Sequence, residues 1–600
     1  MSVARWRDFE NPQPVHIKQV YRIRERNSMR ICGIKLTHDG AIAVVEDGKL
    51  AFCIEQEKRD NNQRYQEIDN LEEIAVVLAE HGLGAEDIDL FVIDGWDGDV
   101  ESWFHVRSGS VPVSLKGAPY AESDANDILV SLDGTGLVLG DGSFPYKSFP
   151  HVSGHVAAAY CTSPFAQKGQ PALCLVWDGG IVPRLYHVQR DGARRVDCLF
   201  PLIGHIYAAA GHYFGPYKKP GGAEWDLGVA GKLMAYIGLG SVDESIVSIF
   251  QDLYQEHFTG DSELALSYRG NIRAPEGSLK PIRNFFQASV PRLEGKLHED
   301  VLASFHAFLE RLLVHEIEMA LQRHSIQVPQ NLCIAGGCGL NIKWNSALRE
   351  SGLFAAIWVP PFPNDSGSAI GAACCAMAAD QGFMPLEWSV YSGPAAKLGA
   401  VPPGWTASSC TISELAHILA DNKPVVFLAD RAELGPRALG GRSILAAPTS
   451  AAMKSLLNDV KHREHFRPVA PICLEDKAIF IFEPGTPDPY MLFDHQTRKE
   501  WRDKIPAVVH LDGTARLQTI HRSSEHPVAQ LLIEYEKLTG IPLLCNTSAN
   551  CHGRGFFPDA ASACEWGRVE RVWFDGHLLS KTDRSAQTLN AGELACPQGA

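Results

Sequence analysis

The sequence predicts a mixed α/β protein built from two units, and three observations carry that expectation. The chain has 600 residues, more than a single hydrophobic core usually serves. Short apolar runs of strand character alternate with longer helical patterns from Arg30 almost to the end. Between Gly382 and Trp405 that periodicity stops in a stretch rich in proline and glycine, which reads as a linker. The expected organisation is an arm over residues 1–29, a first unit over 30–390 and a second over 405–600.

Taken in order, ICGIKL after Met29 reads as a strand, THDG as a polar turn, and AIAVVEDGKLAFCIE as two more strands. The Asp47-Gly48 pair between apolar runs is a hairpin signal. Actin-like and sugar-kinase-like ATPases open in this way, as do many other folds. Residues 72–86 read as a helix and DLFVIDGW as a buried strand. HVAAAYCTSPF reads as a small-residue helix, and ALCLVWDGG (172–180) as a strand entering a glycine turn. A long amphipathic helix over 298–325 leads to the strand NLCIAGG. A fresh α/β pattern starts near Ser413 and continues with PVVFLAD (424–430). The first 28 residues are Arg-rich and polar with no apolar h-region, which excludes a secretory signal. They are either a disordered arm or the product of an upstream start codon.

Composition narrows the function classes. The chain is 45% hydrophobic and 21% charged, with a formal net charge of −16. Broad nucleic-acid binding needs a basic surface, so that class is disfavoured, although a local basic pocket for a phosphorylated small molecule is not. The 15 cysteines contain no C-x-x-C pair, which points away from structural zinc and toward buried thiols in a reducing cytoplasm. No apolar run reaches the ~18 residues of a membrane span.

Four segments carry chemistry. His151-Val-Ser-Gly-His155 puts two imidazoles on one face of a helix, close enough to share a divalent metal. Asp178 in WDGG and Asp365 in PPFPNDSGSAIGAA are candidates to complete the set, since both lie where strands run into glycine turns. Taken alone, the H-x-x-x-H spacing is a weak signal, and two surface or capping histidines are the plain alternative. Gly336-Gly337-Cys338-Gly339-Leu340-Asn341 follows a strand, so its backbone could approach a nucleotide, but such a run is more often a tight turn. The densest segment is GPRALGGRSILA (435–446) with VKHREHFRPVAP (460–471), which supplies Arg437, Arg442, Lys461, Arg463 and Arg467. Few acids accompany them, as expected of a pocket for a doubly charged anion rather than a solvated face. Arg516 in DGTARLQT could add to that pocket, and Asn546, Thr547 and Ser548 in CNTSAN offer donors and acceptors.

THDGAIAVVEDG, HVSGHVAAAY, GKLM, GGCGLN, GPRALGGRS, VKHREHFRPVAP, DGTARLQT and CNTSAN occur here in that order. Together they resemble the O-carbamoyltransferases of the nodulation (NodU) and cephalosporin (CmcH) type, which include the tobramycin enzyme. The resemblance runs from about Arg30 to Gly576, and the opening segment looks closer to the cephem-type members. It implies a first unit like the ASKHA (actin-like) ATPase of the tRNA threonylcarbamoylation machinery and a second like YrdC. The second would make carbamoyl-adenylate from carbamoyl phosphate and ATP with Mg2+. The first would transfer the carbamoyl group to a hydroxyl of a small-molecule, antibiotic-like or other natural-product acceptor. By position, His151, His155, Asp178 and Asp365 match the metal ligands, with iron(II) as the metal, and His38 matches the residue that acts on the acceptor hydroxyl. Gly179, Gly336, Gly337 and Asn341 would line the nucleotide site, with Lys232 near the phosphates. Arg437, Lys461 and Arg467 would be catalytic in the second unit, where Arg442, Arg463, Arg516, Asn546, Thr547 and Ser548 would bind substrate.

Two departures stand out. Val229-Ala230 precede GKLM where the family usually has an acid, and Gly553-Arg554-Gly555 stand where it tends to read Gly-Glu-Pro. Competing readings are a threonylcarbamoyl-adenylate system for tRNA, a carbamoyltransferase for DNA bases, hydrogenase maturation and a non-catalytic nucleotide sensor. Net charge disfavours the first two, missing C-x-x-C pairs the third, and the joint presence of His38 and the arginine set the fourth. A homodimer is the default oligomer. The acceptor is not legible, and segments 97–150 and 258–297 are the candidates for its walls.

Overall fold

The computed structural model describes residues 28–61, 63–98, 100–218, 226–259 and 275–582. The expected arm, apart from Ser28 and Met29, and residues 260–274 of one candidate acceptor wall lie outside that set.

Strand Arg30–Lys35 pairs antiparallel with Ala41–Glu46, which pairs in turn with Lys49–Glu55. The turn at Asp47-Gly48 takes φ of 49° and 77°, the left-handed pair that a two-residue hairpin loop demands. Leu90–Asp94 joins in parallel on the other side, and Gly142–Phe149 and Leu132–Leu139 complete six strands. A second, five-stranded sheet runs Gly192–Cys198, Arg184–Gln189, Ala172–Val176, Gln330–Ala335, Phe354–Trp358. Two small-residue helices pack between the sheets. Every residue of His151–Cys161 is buried, as is Ser368–Ala378 of helix Ser368–Gln381. Glycine makes the close approach possible. A Cβ on Gly371 would collide with the Gly154 carbonyl, and one on Gly33 with that of Ala369.

Two helices differ from expectation. The one predicted over 72–86 ends at Glu80, because Gly82 turns left-handed (φ 74°), and Ala85–Asp87 form a separate 3-10 turn. The long helix runs His298–Arg323, and its residues Val301–Leu309 are buried on all sides rather than along a stripe. There Phe305 packs among Phe250, Phe285 and Phe286.

The second half builds an eight-stranded mixed sheet in the order Trp405–Ser409, His577–Lys581, Arg571–Phe574, Val425–Leu428, Arg442–Ala446, Leu543–Ser548, Ala470–Leu474, Gln518–Ile520. The chain changes sheets abruptly. Ser392 still accepts from the Cys53 amide at 2.9 Å, while Ala395 bridges to Arg431 and Lys397 to Asp559.

The halves are joined by buried polar contacts. Lys58, 2% exposed, donates to Glu55 (2.7 Å) and to the carbonyls of Glu433 (2.8 Å) and Gly435 (2.6 Å). Lys343 pairs with Asp494 and Asp512 at 2.8 and 2.7 Å. Arg554, one of the two sequence departures, donates to the Asn61 carbonyl at 2.9 Å, so it fastens one half to the other. No helix among the described residues is long and apolar enough to cross a membrane.

Candidate metal centre and anion pocket

The strand ends and the two buried helices deliver four ligand-type side chains to one point. His151, His155, Asp178 and Asp365 are all buried and offer one atom each within 4.8 Å of one another. The two Nε2 atoms are 3.1 Å apart, and Asp365 Oδ1 lies 3.4 and 3.5 Å from them. Two imidazoles and two carboxylates at such spacing suit a first-row divalent ion. The surroundings hold the ligands in place. Asp94 accepts from His151 Nδ1 at 2.7 Å, so Nε2 faces the centre. Tyr120 donates to Asp178 Oδ2 at 2.6 Å, and the Gly337 amide donates to its Oδ1 at 2.5 Å. Lys35 lies 3.1 Å from Asp94 and 2.9 Å from Asp365.

His38 stands at the edge of this centre, its Nε2 3.6 Å from Asp365 Oδ2 and its Nδ1 2.9 Å from Asp39 Oδ2. Trp96 packs edge-on against both His38 and His151. Burial alone would lower the His38 pKa, but the Asp365 carboxylate and the hydrogen bond to Asp39 outweigh it and raise it. In Lys35 the same contest, burial against Asp365 and Asp94, leaves the ammonium above its ordinary value.

The second cluster lies where the halves meet. Arg437 donates to the Leu340 carbonyl at 3.3 Å. Arg463 reaches Thr547 Oγ1 (3.1 Å) and Ser548 Oγ (3.2 Å), and Lys461 reaches the carbonyls of Ser548 (2.7 Å) and Asn550 (2.6 Å). Burial, and then repulsion by Arg64 and Arg467, pulls the Arg437 guanidinium below its ordinary value. Arg463 is lowered by burial and by Arg467, Arg516 and Arg64, and Arg516 by burial, Arg437 and Arg467. A guanidinium stays protonated in proteins, so a set of crowded cations with few acids stores repulsion that an anion relieves. The buried Nε of Arg437 and of Arg516 and the Oδ1 of Asn546 have no hydrogen-bond partner.

Comparison with known proteins identifies the family. The Carbamoyltransferase N-terminus family matches residues 30–374, and the Carbamoyltransferase C-terminus family matches residues 416–581. The chain belongs to the carbamoyltransferase family. Among relatives, Nodulation protein U of Rhizobium tropici is 71% identical over 94% of this chain and 98% of its own. The 3'-hydroxymethylcephem-O-carbamoyltransferase of Amycolatopsis lactamdurans is 32% identical over 88% of this chain and 94% of its own. Those identities correct the leaning of the opening segment toward the cephem type, since over the whole chain the nodulation type is far nearer. Among solved structures, the activator of the 2-hydroxyisocaproyl-CoA dehydratase from Clostridium difficile overlaps 59% of this chain and 96% of its own, with a TM-score of 0.29 and 14% identity. This carbamoyltransferase is a transferase whose first half carries the His/Asp centre and whose second half supplies most of the cations.

The predicted residues fall into three groups. His151, His155, Asp178, Asp365 and His38 come together, as do Arg437, Lys461, Arg463, Arg467, Arg516, Asn546, Thr547 and Ser548. Lys232 lies beside the second group, its ammonium 5.3 Å from the Tyr217 ring, whose hydroxyl donates to Glu464 at 2.7 Å. Arg442 lies elsewhere. It is 1% exposed, and its guanidinium donates to the carbonyls of Ala429, Gly441, Pro394 and Asp430, so it ties loops together. The glycines of the GGCGLN block also have a local explanation. A Cβ on Gly336 (φ 84°) would strike the Trp177 carbonyl, one on Gly337 would crowd Asp178 Oδ1, and Asn341 caps helix Ile342–Glu350. Gly179 accepts from the His205 amide at 3.0 Å in the same turn region.

Sequence reading missed Lys35, Asp94, Tyr120, Asp39 and Arg64. Two had a signal. Lys35 is a lysine inside the apolar run ICGIKL, and Asp94 in VIDGW repeats the strand-Asp-Gly pattern of VWDGG. Arg64 had none, because it lies in an irregular loop and is brought to the second half by the fold.

Proposed function

We propose that this carbamoyltransferase uses ATP and carbamoyl phosphate to carbamoylate a hydroxyl of a small-molecule acceptor. The observation that carries the reading is the cationic set Arg64, Arg437, Lys461, Arg463, Arg467 and Arg516, gathered from both halves beside the segment that leads to the His/Asp centre. Such a set suits two phosphorylated substrates brought together against their mutual repulsion.

In the second half, which we read as the YrdC-like unit spanning about 405–600, water cleaves carbamoyl phosphate to carbamate and inorganic phosphate, which leaves. The carbamate oxygen then attacks the α-phosphate of ATP, and pyrophosphate leaves. The clustered cations hold both anions and stabilise charge on the leaving group, with Mg2+ arriving on the nucleotide. In the first half, read as the actin-like unit over 30–390, the acceptor oxygen attacks the carbamoyl carbon and AMP leaves. His38 takes the hydroxyl proton at Nε2 while Asp39 holds Nδ1. Gly179, Gly336, Gly337 and Asn341 border the phosphates, with Lys232 at the approach. His151, His155, Asp178 and Asp365 would hold a divalent ion, iron(II) by the resemblance, which when bound supplies positive charge to neutralise and orient phosphate.

The acceptor is an alcohol. The cephem relative's name specifies a hydroxymethyl group, and we extend only the hydroxyl to this chain. Purified protein with ATP, Mg2+ and carbamoyl phosphate, without acceptor, should release pyrophosphate and accumulate carbamoyl-adenylate. Lys461→Ala should abolish both. Failure of the folded, metal-loaded wild type to release pyrophosphate would overturn the adenylation step.

A further inference from the structure

Lys35 is 1% exposed, and every group around its ammonium belongs to the metal centre or its wall. Its Nζ lies 3.1 Å from Asp94 Oδ2, 2.9 Å from Asp365 Oδ2 and 4.0 Å from the centroid of Trp96. A lysine buried to brace the fold looks different. Lys58 spends its donors on two backbone carbonyls and one carboxylate, none near a ligand.

Charge pairing gives Lys35 a purpose. Three buried carboxylates, Asp94, Asp178 and Asp365, lie around the centre, and the Lys35 ammonium pairs with two of them, leaving Asp178 and Asp365 Oδ1 to face the imidazoles. Without the ammonium, Asp365 Oδ2, Asp94 Oδ2 and the nearby His38 Nε2 would be left as a second ligand set. Asp94 Oδ1 is already buried without a hydrogen-bond partner, and His38 Nε2 is 3.6 Å from Asp365 Oδ2. A carboxylate shared between two ions is how two-metal centres are built.

We propose that Lys35 is the built-in second cation of this centre: it holds the place of a second metal ion, keeps the site mononuclear and confines Asp365 to ligation through Oδ1. The inference rests on the metal reading of His151, His155, Asp178 and Asp365. Its consequence for the reaction is that His38 keeps its Nε2 lone pair for a proton, which a second metal ion would take as a ligand.

The test is Mn2+ stoichiometry and electron paramagnetic resonance on the full chain. Wild type at saturating Mn2+ should bind one ion per chain with an isolated six-line signal, and His155→Ala should lose it. Lys35→Met should bind two ions and give an exchange-coupled spectrum. Lys35→Arg should stay at one, and adding Asp94→Asn to Lys35→Met should return the count to one. Two coupled ions in the wild type would overturn the proposal without any variant, and Lys35→Gln, which keeps a hydrogen-bond donor beside Asp94 and Asp365, should bind two ions as Lys35→Met does. One ion in the wild type and still one in Lys35→Met would also overturn it while leaving the metal reading intact. No Mn2+ bound by the wild type would remove the metal reading, and this inference with it.

Discussion

Arg437, from the second half of the chain, donates from Nη2 to the carbonyl of Leu340 in the first, at 3.3 Å. Three residues upstream of that carbonyl, the Gly337 amide donates to Asp178 of the His/Asp centre at 2.5 Å. One short segment therefore touches both clusters.

Arg64 is expected to bind anion although it lies in the first half. Arg64→Ala should raise KM for carbamoyl phosphate by about 10- to 100-fold, the loss of one charge-assisted contact. The change should be smaller for the nucleotide if Arg64 faces the carbamoyl phosphate end. Steady-state pyrophosphate release checks it, and an unchanged KM for both substrates would remove Arg64 from the pocket.

His38→Ala should lower transfer to acceptor by ~10²- to 10⁴-fold, the usual range for a general base. Pyrophosphate release in the absence of acceptor should persist, so carbamoyl-adenylate accumulates. A parallel loss of both half-reactions would assign His38 a structural role instead.

Stripping the metal and restoring Mg2+ alone should separate the half-reactions in the same way. Transfer stops, adenylation continues, and the melting temperature falls, because an ion held by this His/Asp set stabilises only the folded chain. Calorimetry and a pyrophosphate assay on the same sample read both effects.

Lys58→Met should cost ~3–5 kcal/mol, because it leaves Glu55 buried and unpaired at the joint between the halves. Urea unfolding measures it. Arg554→Ala, which removes one partly exposed contact to the Asn61 carbonyl, should cost ~1 kcal/mol.

His526 predicts a pH dependence of stability. Burial, only partly offset by Asp430, lowers its pKa from 6.5 to about 4. Its Nδ1 accepts from the Val528 amide at 3.3 Å, capping helix Pro527–Thr539. The unfolded chain therefore binds the proton first. This contribution is fully present above pH 6.5 and is lost as pH falls toward 4, up to about 3 kcal/mol. Denaturant titrations across that window should show the slope in the wild type and a shallower one in His526→Asn.

The mixed α/β class, the Asp47-Gly48 hairpin, the four ligand-type residues and most of the clustered cations are legible in the sequence. Each of these is written in local patterns. Alternating apolar runs end in Asp-Gly, imidazoles sit one helical turn apart, and arginines cluster without acids. Only the tertiary structure decided which of those residues act together. It withdrew Arg442 into a cage of carbonyls, gave the GGCGLN glycines a backbone-packing role, and turned the departure at Arg554 into a joint between halves. It also brought Lys35, Asp94 and Tyr120 around the ligands and carried Arg64 across to the second half. Those relations depend on distances between strands and loops far apart in sequence. Buried charge is tolerated only where the fold supplies its partner, and a linear pattern does not encode which partner that is.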